Sequence, residues 1–150
     1  MKILMVCLGN ICRSPLAEGI LKHKIKEQGL DWEVASAGTS HWHVGEPPDH
    51  RSVAVARRNG IDIRDQRGRQ FVAADLDHFD LIYAMDSSNY NDIKRLVQSP
   101  SQAQKVELIM NLVHPGHNQN VPDPYYGNDG FKGVFDMLDE ACEQLVKRHQ

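Results

Sequence analysis

Cys7 and Arg13, with five residues between them in Cys7-Leu8-Gly9-Asn10-Ile11-Cys12-Arg13-Ser14-Pro15, pair a nucleophile with an anion clamp at the spacing of a closed loop. Five intervening residues let a backbone curl around a tetrahedral anion with its N–H groups turned inward, and Gly9 is expected to relieve the steric limits on the curl. Arg13 would close the ring, because its planar fork matches two phosphate oxygens where a lysine ammonium offers only a point charge. The same positive setting favours a thiolate at Cys7, the form that attacks phosphorus in line. Ser14 is placed to donate to that thiolate or to cap a following helix, and Pro15 suits a first helical position. The spacing alone is weak evidence, since Cys7 in isolation reads as a small apolar residue and Arg13 as a solvated helix residue.

A thiolate that displaces a phenolate needs a proton at the leaving oxygen, so such chemistry requires a carboxylic acid nearby. Asp123 is the candidate, in Val121-Pro122-Asp123-Pro124-Tyr125-Tyr126-Gly127, where two prolines stiffen the loop and deprive its backbone of donors. Once ionised, Asp123 could activate the water that hydrolyses the phosphocysteine. Taken alone, an Asp beside a proline more often just begins a turn.

These residues need a scaffold, and the chain supplies apolar runs alternating with amphipathic segments, the pattern of a parallel sheet covered on both faces. Ile3-Leu4-Met5-Val6 reads as a buried first strand, and Leu16, Ala17, Ile20, Leu21 and Ile25 repeat at helical spacing up to a stop at Gly29. Trp32 to Ala35 reads as a second strand. Asp49 caps a helix that runs to Asn59-Gly60. Asp80 to Met85 is the third strand, Ser87 or Ser88 caps a helix through Val97, and Lys105 to Met110 is the fourth strand. A Pro/His/Asn-rich loop over 114–128 leads to a final helix whose apolar stripe includes Phe131, Val134, Leu138 and Leu145. Cys7 thus falls at the end of strand one and Arg13 at the start of helix one, where an open α/β sheet gathers ligands and a helix directs its free N–H groups.

At 150 residues, 41% hydrophobic and 25% charged, the chain suits one domain over 1–150. A net charge of −3 offers no broad attraction to nucleic acid or to an anionic membrane, so recognition of an anion must be local. The apolar run after Lys2 is too short for a signal peptide, and no stretch approaches the roughly 20 apolar residues that span a bilayer, so no membrane insertion is expected. Three cysteines do not make a disulfide framework, which favours a reducing compartment and hence the cytoplasm. Metal binding by His114, His117 and a cysteine is conceivable on spacing, but loop histidines are usually solvated, and no metal or other cofactor is expected.

The loop from Val6 to Pro15, together with Asp123-Pro124-Tyr125-Tyr126-Gly127, resembles the low-molecular-weight protein tyrosine phosphatases along essentially the whole chain. Ser36-Ala37-Gly38-Thr39, Pro48-Asp49, Arg69-Gln70 and Met85-Asp86-Ser87-Ser88-Asn89 also resemble family segments. The resemblance implies an α/β single-domain, three-layer fold with a four-stranded parallel sheet flanked by helices. It also implies hydrolysis of phosphotyrosine and small aryl phosphates through a phosphocysteine, without cofactor, releasing inorganic phosphate. By position it makes Cys7 the nucleophile, Arg13 the phosphate and transition-state clamp, and Asp123 the general acid and base. By the same resemblance Leu8, Gly9, Asn10, Ile11, Cys12 and Ser14 would form the phosphate-binding loop, with Asn10, Ser14 and Ser36 matching residues that hold it in a strained shape in the family. Trp42, Tyr125 and Tyr126 belong to the substrate cleft, deep enough to favour phosphotyrosine over shorter phosphoserine.

Where many family members carry a histidine that bonds the loop asparagine, this chain has Gln66, with Asp65 the alternative in a shifted alignment. In the family the counterpart of Cys12 forms a reversible disulfide with the nucleophile. The resemblance implies that Tyr125 and Tyr126 are themselves candidates for phosphorylation, as in some relatives, and in a bacterial host it points to a tyrosine autokinase as partner. An arsenate reductase-type thiol enzyme, the alternative reading, needs further cysteines in a mobile segment, yet only Cys142 lies downstream, within a helix. A phosphocysteine carrier of sugar uptake would need neither Arg13 nor Asp123. A purely anion-binding module would need no nucleophile, clamp and acid together.

Overall fold

β1 (Lys2–Cys7) runs through the middle of a four-stranded sheet and is apolar on both faces for that reason. Ile3, Met5 and Cys7 pack to one side with Leu16, Ile20 and Leu138, whereas Leu4 and Val6 pack to the other with Leu76, Phe79 and Ile93. The computed structural model describes residues 1–126, with only the backbone of Tyr126, and 130–149.

α1 (Arg13–Gln28) follows the loop and ends at Gly29, whose φ of 64° is the left-handed C-cap that glycine adopts without steric cost. β2 (Glu33–Gly38) then pairs with β1, and α2 (His50–Arg58) begins where the Asp49 carboxylate accepts from the Arg51 N–H at 2.9 Å. α3 (Asp75–His78) leads to β3 (Leu81–Ala84), followed by α4 (Ser87–Lys94), α5 (Pro100–Ala103), β4 (Val106–Leu108) and α6 (Gly130–Arg148). The strand order is β2-β1-β3-β4, every pairing parallel. α1, α2 and α6 pack together on one face and α4 covers β3 and β4 on the other, the expected three-layer α/β arrangement. The strand order reverses beside β1, at its carboxyl end, the position where such sheets bind ligands. Among the described residues, no helix is long and apolar enough to cross a membrane.

Several boundaries differ from the sequence reading. β2 extends to Gly38 because its register continues to the end of β1, with Cys7 opposite Gly38. The α4 cap is Asp86, whose Oδ1 accepts from the Asn89 N–H at 2.8 Å, not Ser87 or Ser88. β4 stops at Leu108 because Ile109–Leu112 winds into a 3-10 turn. α3 and α5, one turn each, are too short to show periodicity.

Among the described residues, burial holds three groups in their protonated form. Burial pushes the Cys142 thiol from 9.0 up to about 12 and the Tyr83 phenol from 10.0 up to about 12. Burial, aided by Asp49, Cys7 and Asp123, pushes the Cys12 thiol from 9.0 up to about 12. Each group holds its proton more tightly folded than unfolded, so its contribution is complete below about pH 9 and is lost as pH rises towards 12. The melting temperature is expected to fall across that window, and Cys142→Ala to make the fall shallower. A melting temperature constant to pH 11 would contradict this.

Candidate active site

The loop over 8–12 wraps from the end of β1 to the start of α1, and its left-handed residue is Asn10, φ 57°. Asparagine tolerates this region better than most residues. Gly9 therefore does not supply the curl as expected. A Cβ at Gly9 would lie 3.0 Å from His43 Cδ2, so glycine here makes room for a ring. Gly38 fits more tightly still: its Cβ would meet Leu8 O at 2.8 Å and Asn10 N at 3.1 Å, so β2 supports the loop only without a side chain there.

Asn10 is held from three directions. Its Nδ2 donates to Ser14 Oγ at 2.8 Å and to Ser36 Oγ at 2.9 Å, while its Oδ1 accepts from the Arg69 N–H at 3.0 Å. Ser36 in turn donates to buried Glu18 on α1 at 2.7 Å. These bonds hold an unfavourable φ in place, and all of their side chains are buried.

Gln66 sits elsewhere. Its Nε2 donates to Pro15 O at 3.1 Å, at the beginning of α1, and its buried Oε1 has no partner among the described residues. It steadies the junction of loop and helix, and Asn10 receives its acceptor bond from the Arg69 backbone instead. Because Gln66 is removed from the thiol, Gln66→Ala is expected to lower kcat only about two- to threefold, with about 1 kcal/mol of stability lost with the bond. Unchanged rate and unchanged melting would rule out this support.

Cys7 Sγ lies 3.0 Å from Ser14 Oγ. α1 starts at Arg13 with Cys12 at its cap position and no side-chain cap, so Ser14 serves the thiol and not the helix. Arg13 is 2% exposed. Its Nη1 donates to Asp86 Oδ2 at 2.6 Å and to Val121 O at 2.9 Å, which fixes one edge of the guanidinium. Nη2 is 3.6 Å from Asp123 Oδ2, and buried Nε has no partner among the described residues. The Nε and Nη2 edge is thus the one available for a bidentate oxyanion. Burial works against its charge, but Cys7, Asp86 and Asp123 outweigh it and hold the Arg13 guanidinium above its usual value. The Asp86 carboxylate, at the carboxyl end of β3, caps α4 with one oxygen and orients Arg13 with the other.

Asp123 is exposed at the rim, and its Oδ1 accepts from the Tyr125 N–H at 3.0 Å. The two prolines therefore do not leave this carboxylate without donors, because the chain turns after Pro124 and returns the next N–H. Pro124–Tyr126 forms a 3-10 turn. Cys7 and Arg13 form the floor of a cleft of about 400 Å³, with Ile11, Trp42, His43 and Tyr125 as walls and Asp123 at the mouth. Leu8, Gly9 and Cys12 also face it. Trp42 is 65% and Tyr125 40% exposed, so both present apolar faces to an incoming ligand. The side chain of Tyr126 and residue Gly127 lie outside the described residues.

Sequence reasoning did not single out His43, Asp86 and Glu18 as site residues. His43 Nδ1 is 2.8 Å from Glu46, which aims the ring over Gly9. Asp86 carried a signal, a carboxylate at the end of a central strand, and Glu18 stood one helical turn after Ser14. Among the described residues no cluster of three metal-ligating side chains forms.

The sequence profile of the family described as low molecular weight phosphotyrosine protein phosphatase matches residues 2–150. A Schizosaccharomyces pombe protein named low molecular weight phosphotyrosine protein phosphatase is 40% identical, over 97% of this chain and 95% of its own. A solved structure of an Entamoeba histolytica protein tyrosine phosphatase superposes with a TM-score of 0.92 at 38% identity, covering 99% of this chain and 96% of that one. The structure of DARP, a Drosophila arginine phosphatase, superposes with a TM-score of 0.92 at 35% identity, covering 100% of this chain and 98% of that one.

Proposed function

This chain belongs to the low molecular weight phosphotyrosine protein phosphatase family, and from that membership we propose that Cys7, Arg13 and Asp123 carry out its phosphotyrosine hydrolysis. The observation that carries the assignment is one guanidinium, Arg13, with its free edge at the floor of a cleft beside Cys7 and Asp123 at 3.6 Å.

In the first step the Cys7 thiolate attacks phosphorus opposite the aryl oxygen. The S–P bond forms as the P–O bond breaks, the electron pair leaves on the phenolic oxygen, and Asp123 supplies its proton. Arg13 and the inward N–H groups of the loop bind the equatorial oxygens, where negative charge sits in the transition state. In the second step Asp123, now ionised, takes a proton from water as the water attacks phosphorus. The S–P bond breaks, the thiolate is restored and inorganic phosphate leaves. Ser14 steadies the thiolate in both steps through its 3.0 Å contact.

Trp42 and Tyr125 flank the phenyl ring, which makes a phosphotyrosine-bearing protein the substrate. For a bacterial host we propose a tyrosine autokinase as the phosphotyrosine-bearing partner. We place the protein in the reducing cytoplasm, where the free Cys7 thiol stays available. The relay of an arsenate reductase would need a second accessible thiol, and Cys142 is buried within α6, its thiol raised to about 12. Cys12 lies inside the loop close to Cys7, as a reversible partner would, and recovery by a dithiol after peroxide treatment would reveal that role.

Mixing with nitrophenyl phosphate is expected to release a burst of about one nitrophenol per chain before the slower steady rate. A phosphotyrosine peptide should exceed both a phosphoserine and a phosphoarginine peptide in kcat/KM by at least tenfold. The absence of a burst would overturn the phosphocysteine, and a preference for phosphoarginine would overturn the substrate.

A further inference from the structure

Arg51 connects the loop that carries Asp123 to the phosphate loop. From the first turn of α2 it folds back on the cap residue, Nε donating to Asp49 Oδ1 at 3.0 Å and Nη2 to Asp49 Oδ2 at 3.0 Å. The same Nη2 donates to Tyr125 O at 3.1 Å. The guanidinium also lies over two rings, its Cζ 4.7 Å from the centroid of Phe131 and 5.6 Å from that of Tyr125. On the other side, the Asp49 N–H donates to Ile11 O, within the phosphate loop, at 2.8 Å.

Both backbone polar groups of Tyr125 are therefore engaged at the site. Its carbonyl accepts from Arg51, and its N–H donates to Asp123 Oδ1 at 3.0 Å, which turns Oδ2 towards Arg13. Burial pushes the Asp49 carboxyl up, but its bonds to Arg51 outweigh that and hold it below its usual value, so the pair is ionic. Tyr125 is placed between a fixed cation and the carboxylate that must deliver a proton.

We propose that Arg51 is a positioning residue for the acid–base step, orienting the Asp123 carboxyl over the phosphate loop through the Tyr125 peptide. This inference rests on Asp123 being the acid. Arg51 is not part of the cleft lining among the described residues, so it acts through Asp123 and not on the phosphate. A carboxyl misplaced by about 1 Å loses much of the roughly 10²- to 10⁴-fold that general acid catalysis supplies. The loss depends on the leaving group, because a weakly basic phenolate departs without a proton.

The test is the burst rate on aryl phosphates graded from dinitrophenyl phosphate to phenyl phosphate. Arg51→Met is expected to slow phenyl phosphate about tenfold and dinitrophenyl phosphate less than about twofold, with Arg51→Lys intermediate. Inhibition by inorganic phosphate should stay within about twofold of wild type, since the clamp is untouched. In an Asp123→Ala background, Arg51→Met should slow nothing further. Equal slowing across the series, additive slowing in that background, or an unchanged rate on phenyl phosphate would each overturn the positioning role. If Asp123→Ala itself shows no dependence on the leaving group, the acid assignment fails instead. Thermal melting checks that each variant is folded, and Arg51→Lys carries the same comparison should Arg51→Met unfold.

Discussion

Cys7→Ser is expected to lower turnover of phosphotyrosine by on the order of 10⁴-fold or more, with no burst at all. The side chain facing position 7 is Ser14, 3.0 Å from the native thiol, and a second hydroxyl is no base and cannot remove the proton of a serine placed there. Among the described residues the side chain that hydrogen-bonds Cys7 Sγ is Ser14, not a histidine. Binding should survive, because Arg13 remains and a thiolate that repels the phosphate dianion is gone. The variant is therefore expected to hold a phosphotyrosine peptide at least as tightly as the wild type while failing to hydrolyse it, and to retain its substrate in pull-downs. A Cys7→Ser enzyme within tenfold of wild type would overturn the covalent mechanism.

Arg13→Lys is expected to reduce kcat by about 10²- to 10³-fold, equivalent to about 2.7–4 kcal/mol of transition-state stabilisation, with a smaller change in KM. The charge is preserved, but the geometry is not. Arg13 spends Nη1 on Asp86 and Val121 O and so keeps Nε and Nη2 aligned towards the cleft. A lysine ammonium carries its three donors on one tetrahedral nitrogen and cannot reproduce the planar fork that faces two phosphate oxygens while its far edge holds Asp86. Asp86→Asn should cost less, about tenfold, because Val121 O still grips Nη1. Single-turnover rates at saturating substrate separate the two contributions, and a lysine variant within threefold of wild type would show that charge alone suffices.

The loop from Cys7 to Arg13 was legible because it is local: five residues between a thiol and a guanidinium limit the shapes available, and the flanking strand and helix declare themselves by apolar periodicity. The capping of α2 by Asp49 and the stop at Gly29 were legible for the same reason. Position along a repeating pattern is short-range information. The role of Gly9 was misread because a glycine in a curled loop invites a conformational explanation, whereas the space is taken by His43. Gln66 was expected on Asn10 and instead holds Pro15 O, a choice of partner that residue type alone does not decide.

Asp86, Glu18, Gly38 and Arg51 depend on where separate elements come to rest. Asp86 lies 73 residues from Arg13 and reaches it because β3 pairs in parallel with β1, Ala84 opposite Val6. Arg51 and Tyr125, 74 residues apart, meet because α2 and α6 pack on the same face of the sheet. By itself the sequence determined the fold class and the place of the Cys7 to Arg13 loop between β1 and α1, since these follow from local order and hydrophobic pattern, and its family resemblance singled out the residues proposed as nucleophile, clamp and acid. Only the tertiary structure decided which carboxylate orients Arg13, what holds Asn10 and how the acid loop is tied to the phosphate loop. Those contacts are set by sheet register and helix packing, which are cooperative properties of the whole chain.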